Sequence, residues 1–314
     1  MNNGKNTKNI KARKDTGEGI RKQIITMLED VCFGPYEFEV ANIWRNSLFI
    51  NSILTNSETW YNLSKTEVDQ LEQVDEQLLR SILETGRSTP KVMLYLEMGC
   101  LPIKFILMKR RITYLHYILH QDKESLLFKF FKAQKSNPVQ GDWCLTVEED
   151  MAYLRLDLSY DQISVMSEHA LKNLLNKKAD AKAVEYLNLG KKSKTKHILH
   201  ENLVLQPYLM AGNMSNYQRK FIFQLRSKML DMKVNYQGSH TDLQCELCGK
   251  HEESQESLLI CEKLVDANEL VTDELPVYDD LFAQDVQKQI NISSILKKKF
   301  ELRNKLIKES KNKS

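Results

Sequence analysis

The sharpest chemical signal in this sequence is a group of three cysteines, Cys245, Cys248 and Cys261. Two thiolates separated by two residues fit on one tight turn, and both can then bind a single tetrahedral Zn²⁺ at about 2.3 Å. With the third cysteine, three thiolates provide most of a structural zinc site. A His four residues before Cys261 would complete a Cys-Cys-His-Cys set, but the residue there is Ser257, and a hydroxyl is a poor zinc ligand.

The fourth zinc ligand would then have to come from a nearby histidine. His251 follows Cys248 by three residues, and His240 precedes Cys245 by five. Because His251 lies on the same short loop as Cys248, we expect it to be the fourth ligand. The residues leave three interpretations open: weak zinc binding completed by His251, a zinc site that has decayed, or three unrelated free thiols.

Two basic stretches have the composition of a phosphate-binding surface. The candidate contacts are Lys104, Lys109, Arg110 and Arg111 in the first stretch and Arg219, Lys220, Arg226 and Lys228 in the second. Lysine and arginine side chains neutralise phosphates whatever the base sequence, so we expect binding to the backbone of RNA and DNA. Tyr114 and Tyr117 are interleaved with the first stretch and offer rings on which bases can stack.

The remaining chemistry-bearing residues form no catalytic motif. Tyr278-Asp279-Asp280 lacks the residue that a reverse-transcriptase loop has between its aromatic residue and its aspartates, and two-metal catalysis needs a further carboxylate on a distant strand. His116 and His120 have a metal-compatible helical spacing but lack the glutamate of a zincin motif. The sequence contains no nucleotide-binding glycine loop and no nucleophile elbow. We therefore predict that the chain is not an enzyme, and no small-molecule substrate is evident.

The composition predicts the framework that positions these residues. Gly and Pro number 11 and 6 in 314 residues, too few for the many tight turns of a β-sandwich or barrel. Hydrophobic residues make up 42% and charged residues 28%, which is enough apolar material for a core. We predict an all-α protein, an irregular multi-helix array with a small zinc-knuckle segment. No membrane span is expected, and the cysteine usage favours a reducing intracellular compartment, nuclear or cytoplasmic.

Helix signals are strong at several points of the chain. Ser64 and Glu67 have the spacing of a capping box at the start of one helix. Pro102 begins a helix, apolar on one side and basic on part of the other, that runs to about His120. Further helices are expected over 18–32, 36–57, 142–157, 159–189, 216–232 and 286–308.

Charge is segregated along the chain, although the net charge is only +3. Basic blocks surround one acidic stretch over 242–285, and such blocks suit a polyanionic partner. This pattern and a turn near residues 137–142 divide the chain into five segments. They are a basic arm (1–17), a first helical domain (18–136), a second helical basic domain (137–240), a zinc-knuckle segment (241–264), and an acidic linker with a C-terminal basic helix (265–314).

Seven stretches occur in an informative order. They are KNIKARKDTGEGIRKQI (8–24), RNSLFINSILTNSETWYNL (45–63), VDEQLLRSIL (74–83), STPKVMLYLEMGCLPIKFILMKRRITYLHYIL (88–119), NPVQGDW (137–143), TDLQCELCGK (241–250) and YDDLFAQDVQKQINIS (278–293). In this order they resemble the C-terminal part of the reverse transcriptases of invertebrate non-LTR retrotransposons. The resemblance is collinear from about residue 5 to residue 300.

The resemblance implies a thumb-like and connection region, with the thumb over 18–136, followed by a zinc knuckle. In the family these parts hold the RNA template and the target DNA while a preceding polymerase domain copies RNA into DNA. The family's knuckle reads Cys-x2-Cys and then His-x3-Cys, so this chain departs from it at Ser257. We expect a non-catalytic nucleic-acid-binding fragment that lacks the polymerase and endonuclease active sites. The alternative is an intracellular helical protein-interaction module with basic faces.

Overall fold

The computed structural model describes residues 7–31, 33–191, 195, 198, 200–240, 242–264 and 277–312. Residues 265–276, which make up more than half of the predicted acidic linker, lie outside the described residues. The first six residues of the predicted basic arm lie outside them as well.

The described residues form an all-α multi-helix array, and the predicted fold class is confirmed. The α-helices are α1 (Thr7–Asp30), α2 (Glu37–Trp44), α3 (Asn51–Ile53), α4 (Lys65–Ile82), α5 (Lys91–Met98), α6 (Ile103–Leu119), α7 (Leu126–Ser136), α8 (Trp143–Tyr153), α9 (Tyr160–Val165), α10 (Glu168–Leu189), α11 (Asn216–Arg226), α12 (Ser257–Ile260) and α13 (Val286–Lys311). A π-helical segment, Arg45–Ile50, joins α2 to α3. Among the described residues, β pairing is confined to two isolated bridges, Met98 with Leu205 and Gln244 with Glu252.

Serine caps set several helix starts. At α4 the Ser64 hydroxyl accepts a hydrogen bond from the Glu67 N–H, and the Glu67 carboxylate accepts one from the Ser64 N–H at 2.9 Å. The single helix predicted over 159–189 is wrong, because Ser159 caps α9 and Ser167 caps α10. The extended backbone of Met166 ends α9, and the extended Ser167 begins α10.

Residues 7–17, predicted as part of a basic arm, belong instead to α1 and pack into the fold. Ile10 is fully buried in the core. Gly17 allows α1 to approach α4 closely, since a Cβ at Gly17 would stand 2.8 Å from Val74 Cγ1. The basic side chains of this stretch lie on a helix whose other face is apolar and buried.

Two apolar clusters share α6. The first joins α1–α5 with residues of α11–α13, and the second joins α6 with α7–α10. Ile103 and Leu107 of α6 belong to the first cluster, whereas Phe105 and Met108 belong to the second. The boundary predicted at 136/137 lies within the second cluster, between α7 and α8. The predicted second domain contributes to both clusters.

The first cluster surrounds a fully buried carboxylate, that of Glu97 on α5, whose partners come from distant parts of the chain. Arg226 of α11 donates from Nε to both carboxylate oxygens, at 3.1 and 3.0 Å. His200 Nε2 lies 3.0 Å from one oxygen, and the Tyr208 hydroxyl donates to the other at 2.8 Å. Arg226 also donates to the Leu281 carbonyl at 2.8 Å. One carboxylate therefore connects α5, α11, the chain before α11 and the chain before α13.

A glycine brings the chain before α11 onto α5. Gly99 takes a left-handed φ of 62°, and a Cβ there would stand 2.2 Å from backbone atoms of Val204 and Leu205. Only glycine fits such an approach without displacing the backbone. This contact brings the side chains of His200 and Tyr208 to the buried Glu97 carboxylate.

The partners of Glu97 keep it ionised. Burial by itself raises the pKa of this carboxyl, but Arg226 and His200 together outweigh burial and lower the pKa from 4.5 to about 2. Because the folded pKa is depressed, the stabilisation is complete above about pH 4.5 and is lost as the pH falls towards 2.

We expect Glu97→Gln to lower the free energy of unfolding by about 3–5 kcal/mol, because Arg226 would stay buried without an opposite charge. Urea unfolding at neutral pH, followed by circular dichroism, measures the difference. Glu301→Gln is the matched control; it removes an exposed carboxylate that pairs with the partly exposed Lys297, and it should cost less than about 1 kcal/mol. A Glu97→Gln variant as stable as the control would contradict the role given to this network.

Candidate functional site

The three predicted cysteines meet in space. The sulfur atoms of Cys245, Cys248 and Cys261 all lie within 4.8 Å of one another, and those of Cys245 and Cys261 are 3.9 Å apart. Two sulfurs bound to one tetrahedral Zn²⁺ at about 2.3 Å would be about 3.8 Å apart. Cys245 and Cys261 are buried, and Cys248 is partly exposed. This cluster can hold a metal ion.

A hairpin-like turn positions the first two thiols. The Cys245 N–H donates to the His251 carbonyl at 2.8 Å, and the Gly249 N–H donates to the Cys245 carbonyl at 2.9 Å. The turn is flanked by the bridge between Gln244 and Glu252. Gly249 has a left-handed φ of 64°, which a glycine adopts at little cost. These backbone contacts place both thiols on the same side of the turn, facing Cys261.

The third thiol follows α12, and the candidate fourth ligands do not join it. The Cys261 N–H donates to the Ser257 carbonyl at 2.9 Å. The Ser257 hydroxyl is used locally, since it donates to the Ser254 carbonyl at 2.8 Å and accepts from the Ser254 N–H at 3.1 Å. The His251 side chain is exposed and is not part of the sulfur cluster, although its carbonyl holds the turn. The structure therefore assembles three of the four predicted ligands.

Two of the thiols have pKa values shifted in opposite directions. The Lys250 N–H donates towards the Cys248 sulfur and is the main cause that lowers the pKa of that thiol, with smaller contributions from the other two cysteines and from the His251 N–H. Burial raises the pKa of Cys261 to about 11. Metals bind the thiolate form, so a bound cation would offset the cost of ionising the buried thiol.

We expect the full chain to bind Co²⁺, a spectroscopic probe for thiolate sites, and to show a thiolate-to-metal absorption band. Cys245→Ser should remove most of this band, because it deletes a buried ligand from the cluster. Cys144→Ser alters a buried thiol of the second apolar cluster and is the matched control. A band that survives Cys245→Ser, or no band in the native chain, would contradict this assignment.

Four of the predicted phosphate contacts are buried and occupied by internal partners. They are Arg111, Arg219, Arg226 and Lys228. Arg111 donates to both carboxylate oxygens of Asp150, at 2.6 and 2.9 Å. Lys228 pairs with Glu256. We do not retain these four as phosphate contacts, because each side chain is itself buried and would have to leave an internal partner to reach a phosphate.

Arg219 shows how such a side chain is satisfied without a carboxylate. Its guanidinium donates to the backbone carbonyls of Gly34 at 2.9 Å, Ala211 at 2.7 Å and Met214 at 2.9 Å. It therefore ties α11 to the turn that precedes α2. Burial lowers the pKa of Arg219, and Glu37 raises it.

The predicted contacts Lys104 and Lys220 are also engaged within the fold. Lys104 Nζ lies over the ring of Tyr153, 4.0 Å from its centroid, beside a cavity of about 560 Å³. Lys220 pairs with Glu37 at 3.4 Å and with Glu84 at 2.7 Å. Neither lines the groove between α6 and α10 that contains the remaining two predicted cations, Lys109 and Arg110.

Sequence spacing contained a signal for the buried arginines. Arg111 stands four residues after Leu107 and four before Leu115, and both leucines are buried. Residues at this spacing share one face of a helix. Arg226 likewise follows the buried Ile222 by four residues. A cation on an apolar face predicts an internal partner better than it predicts an exposed phosphate contact.

The remaining two predicted cations, Lys109 and Arg110, lie in an open groove between α6 and α10. The groove has a volume of about 700 Å³, and it is also lined by Tyr114, Tyr117 and Lys172. Lys172 comes from α10 and was missed by the sequence analysis, since its position depends on how α10 packs against α6. The structure thus collects part of the first basic stretch, and none of the second, at one surface.

The groove cations are held in different ways. Arg110 donates to the Leu54 carbonyl at 2.5 Å and to Asn51 Oδ1 at 2.6 Å, which fixes its guanidinium. Burial lowers the pKa of Lys109, and Asp180 raises it, but no carboxylate of the described ranges lies within ion-pair distance of Lys109 Nζ. Among the described residues, Lys109 and Arg110 therefore form no internal ion pair, whereas Lys172 pairs with Glu168.

Comparison of the chain with protein-family models, with curated proteins and with solved structures gave no match. In the part of the chain that the structure describes, no helix has the length and apolar character needed to cross a membrane. The three-thiol cluster and the α6–α10 groove are therefore the observations from which a function is inferred.

Proposed function

We propose that this chain binds nucleic acid without catalysing a reaction on it, as a fragment of a non-LTR retrotransposon reverse transcriptase outside the polymerase and endonuclease active sites. The observation that carries the proposal is the α6–α10 groove, which combines Lys109, Arg110 and Lys172 with two tyrosine rings. The order of the seven sequence stretches supports the choice of family. RNA and DNA backbones are the expected ligands.

The electrostatics of the groove favour a polyanion. Its lining contains three cations and one carboxylate, Glu58, and Lys172 also pairs with Glu168, which lies outside the lining. Lys109 is half-buried and forms no ion pair among the described residues, so a phosphate would add an opposite charge in direct contact, beyond the longer-range effect of Asp180. Arg110 is anchored by the backbone before binding, which reduces the entropy lost when it meets a phosphate.

We infer that the three-thiol cluster takes zinc. Soft thiolates select Zn²⁺ over the oxygen-preferring Mg²⁺ and Ca²⁺, and Cys245, Cys248 and Cys261 provide three of them. Bound there, zinc would act as a structural clamp between the cysteine turn and α12. The fourth position is left to water or, after the turn rearranges, to His251. We expect weaker binding than in a complete four-ligand site.

A salt series with a labelled RNA that carries a duplex stem and a single-stranded tail tests the binding proposal. Backbone binding weakens log-linearly with salt, and each lost phosphate contact reduces the slope by about 0.7–0.9. Lys109→Gln should therefore weaken binding several-fold at about 0.1 M salt and reduce the slope by about one contact. Lys298→Gln, an exposed lysine on α13, is the matched control and should change neither.

An affinity that does not change with salt concentration would contradict the groove assignment. An equal loss of affinity in the Lys109→Gln and Lys298→Gln variants would also contradict it. Absence of binding at low salt would favour the alternative, a helical protein-interaction module. One feature supports that alternative: α7 leaves Leu126 72% and Phe130 64% exposed beside Lys129. Exposed apolar side chains of this kind are typical of surfaces that contact other proteins.

A further inference from the structure

We propose that the α6–α10 groove selects single-stranded over double-stranded nucleic acid by stacking a base on Tyr117. This inference rests on the proposed function and names the form of nucleic acid that the groove takes. It follows from the arrangement of three aromatic rings, from the exposure of one of them, and from the position of the groove cations along α6.

Three aromatic rings are in contact beside the groove, and Tyr114 contacts the other two. The rings of Tyr114 and Tyr117 are nearly parallel, at 14°, with centroids 5.8 Å apart. Trp143 packs edge-on against Tyr114, with centroids 5.7 Å apart and planes at 86°. The Trp143 indole N–H donates to the Glu58 carbonyl at 2.8 Å, which fixes the ring. Tyr114 is therefore packed against both a fixed Trp143 ring and the Tyr117 ring.

Tyr117 is the exposed ring of this group. A base inserted between two rings needs them about 7 Å apart, twice the contact distance of carbon atoms, and Tyr114 and Tyr117 are closer than that. Insertion between the rings is therefore excluded without movement. Tyr117 is 53% exposed, so a base can instead extend the stack from its free side.

The cations lie where the backbone of such a strand would pass. Lys109 and Arg110 precede Tyr117 by eight and seven residues on α6, which is about 11–12 Å along the helix axis. Lys172 lines the same groove from α10. A strand with one base on Tyr117 therefore has phosphates of neighbouring nucleotides within reach of the cations.

A duplex cannot use the tyrosine in this way. Its internal bases are covered on both faces by their neighbours, so only its phosphates are available to the groove. A single strand offers both its phosphates and its ring faces, and every base has such a face. RNA and DNA single strands share this chemistry, so we expect both to bind, with little dependence on base sequence.

Fluorescence anisotropy of the full chain with four labelled probes tests the inference: single-stranded RNA, single-stranded DNA and a blunt duplex of each. We expect Tyr117→Leu to weaken single-strand binding at least about fivefold and to leave duplex binding within twofold. Tyr117→Phe keeps the ring and should bind like the native chain. Tyr36→Leu alters a tyrosine of similar exposure outside the groove and should have no effect.

Two results would overturn the inference, and only one of them would also refute the proposed function. Equal affinity for single strands and duplexes, with Tyr117→Leu neutral while Lys109→Gln still weakens binding, would refute stacking and leave the proposed function standing. No binding of any probe at low salt would remove the proposed function and this inference together. Thermal unfolding of each variant, followed by circular dichroism, verifies that the comparison is made between folded proteins.

Discussion

The arrangement of the helices depends most on the hydrogen bonds that the buried Glu97 carboxylate accepts. Glu97 lies on α5, yet its partners come from α11 and from the chain before α11, and Arg226 extends the network to the chain before α13. An ionised group in an apolar core is tolerated only when its hydrogen-bonding capacity is filled, and here three side chains fill it. The C-terminal half of the chain is thereby fixed to the N-terminal half at one point, and Gly99 permits the close approach that this requires.

The burial of α6 in two apolar clusters explains where basic side chains remain available for a ligand. Helix α6 contributes to both apolar clusters, so most of its circumference is buried, and Arg111 on one of its buried faces is paired with Asp150. Only a narrow strip of α6 stays open, and α10 closes one side of it. The groove therefore lies on the part of α6 that neither apolar cluster covers, and its cations lie outside both clusters.

Much of the local structure could be predicted from the sequence, whereas the pairing of distant groups could not. Apolar periodicity and the bounding proline predicted α6 to within a residue or two, and serine chemistry predicted the start of α4. The cysteine spacing predicted the sulfur cluster, because two of its thiols share one turn. Arg219 bonds to the Gly34 carbonyl and Arg226 to the Glu97 carboxylate, both far away in the chain, and charge patterning cannot reveal such partners. Lys172 and the exclusion of His251 from the sulfur cluster likewise depend on tertiary packing and turn geometry.

The most direct test of the account is to locate bound nucleic acid on the folded chain. Single-stranded RNA that contains 4-thiouridine can be crosslinked to the full chain by near-ultraviolet light, and the modified peptides can be identified by mass spectrometry after trypsin digestion. We expect adducts to concentrate on the peptide 112–123, which contains Tyr114 and Tyr117, and we expect competing unlabelled RNA to remove them. Adducts confined to 216–228 or 242–264, with none on α6, would contradict the account.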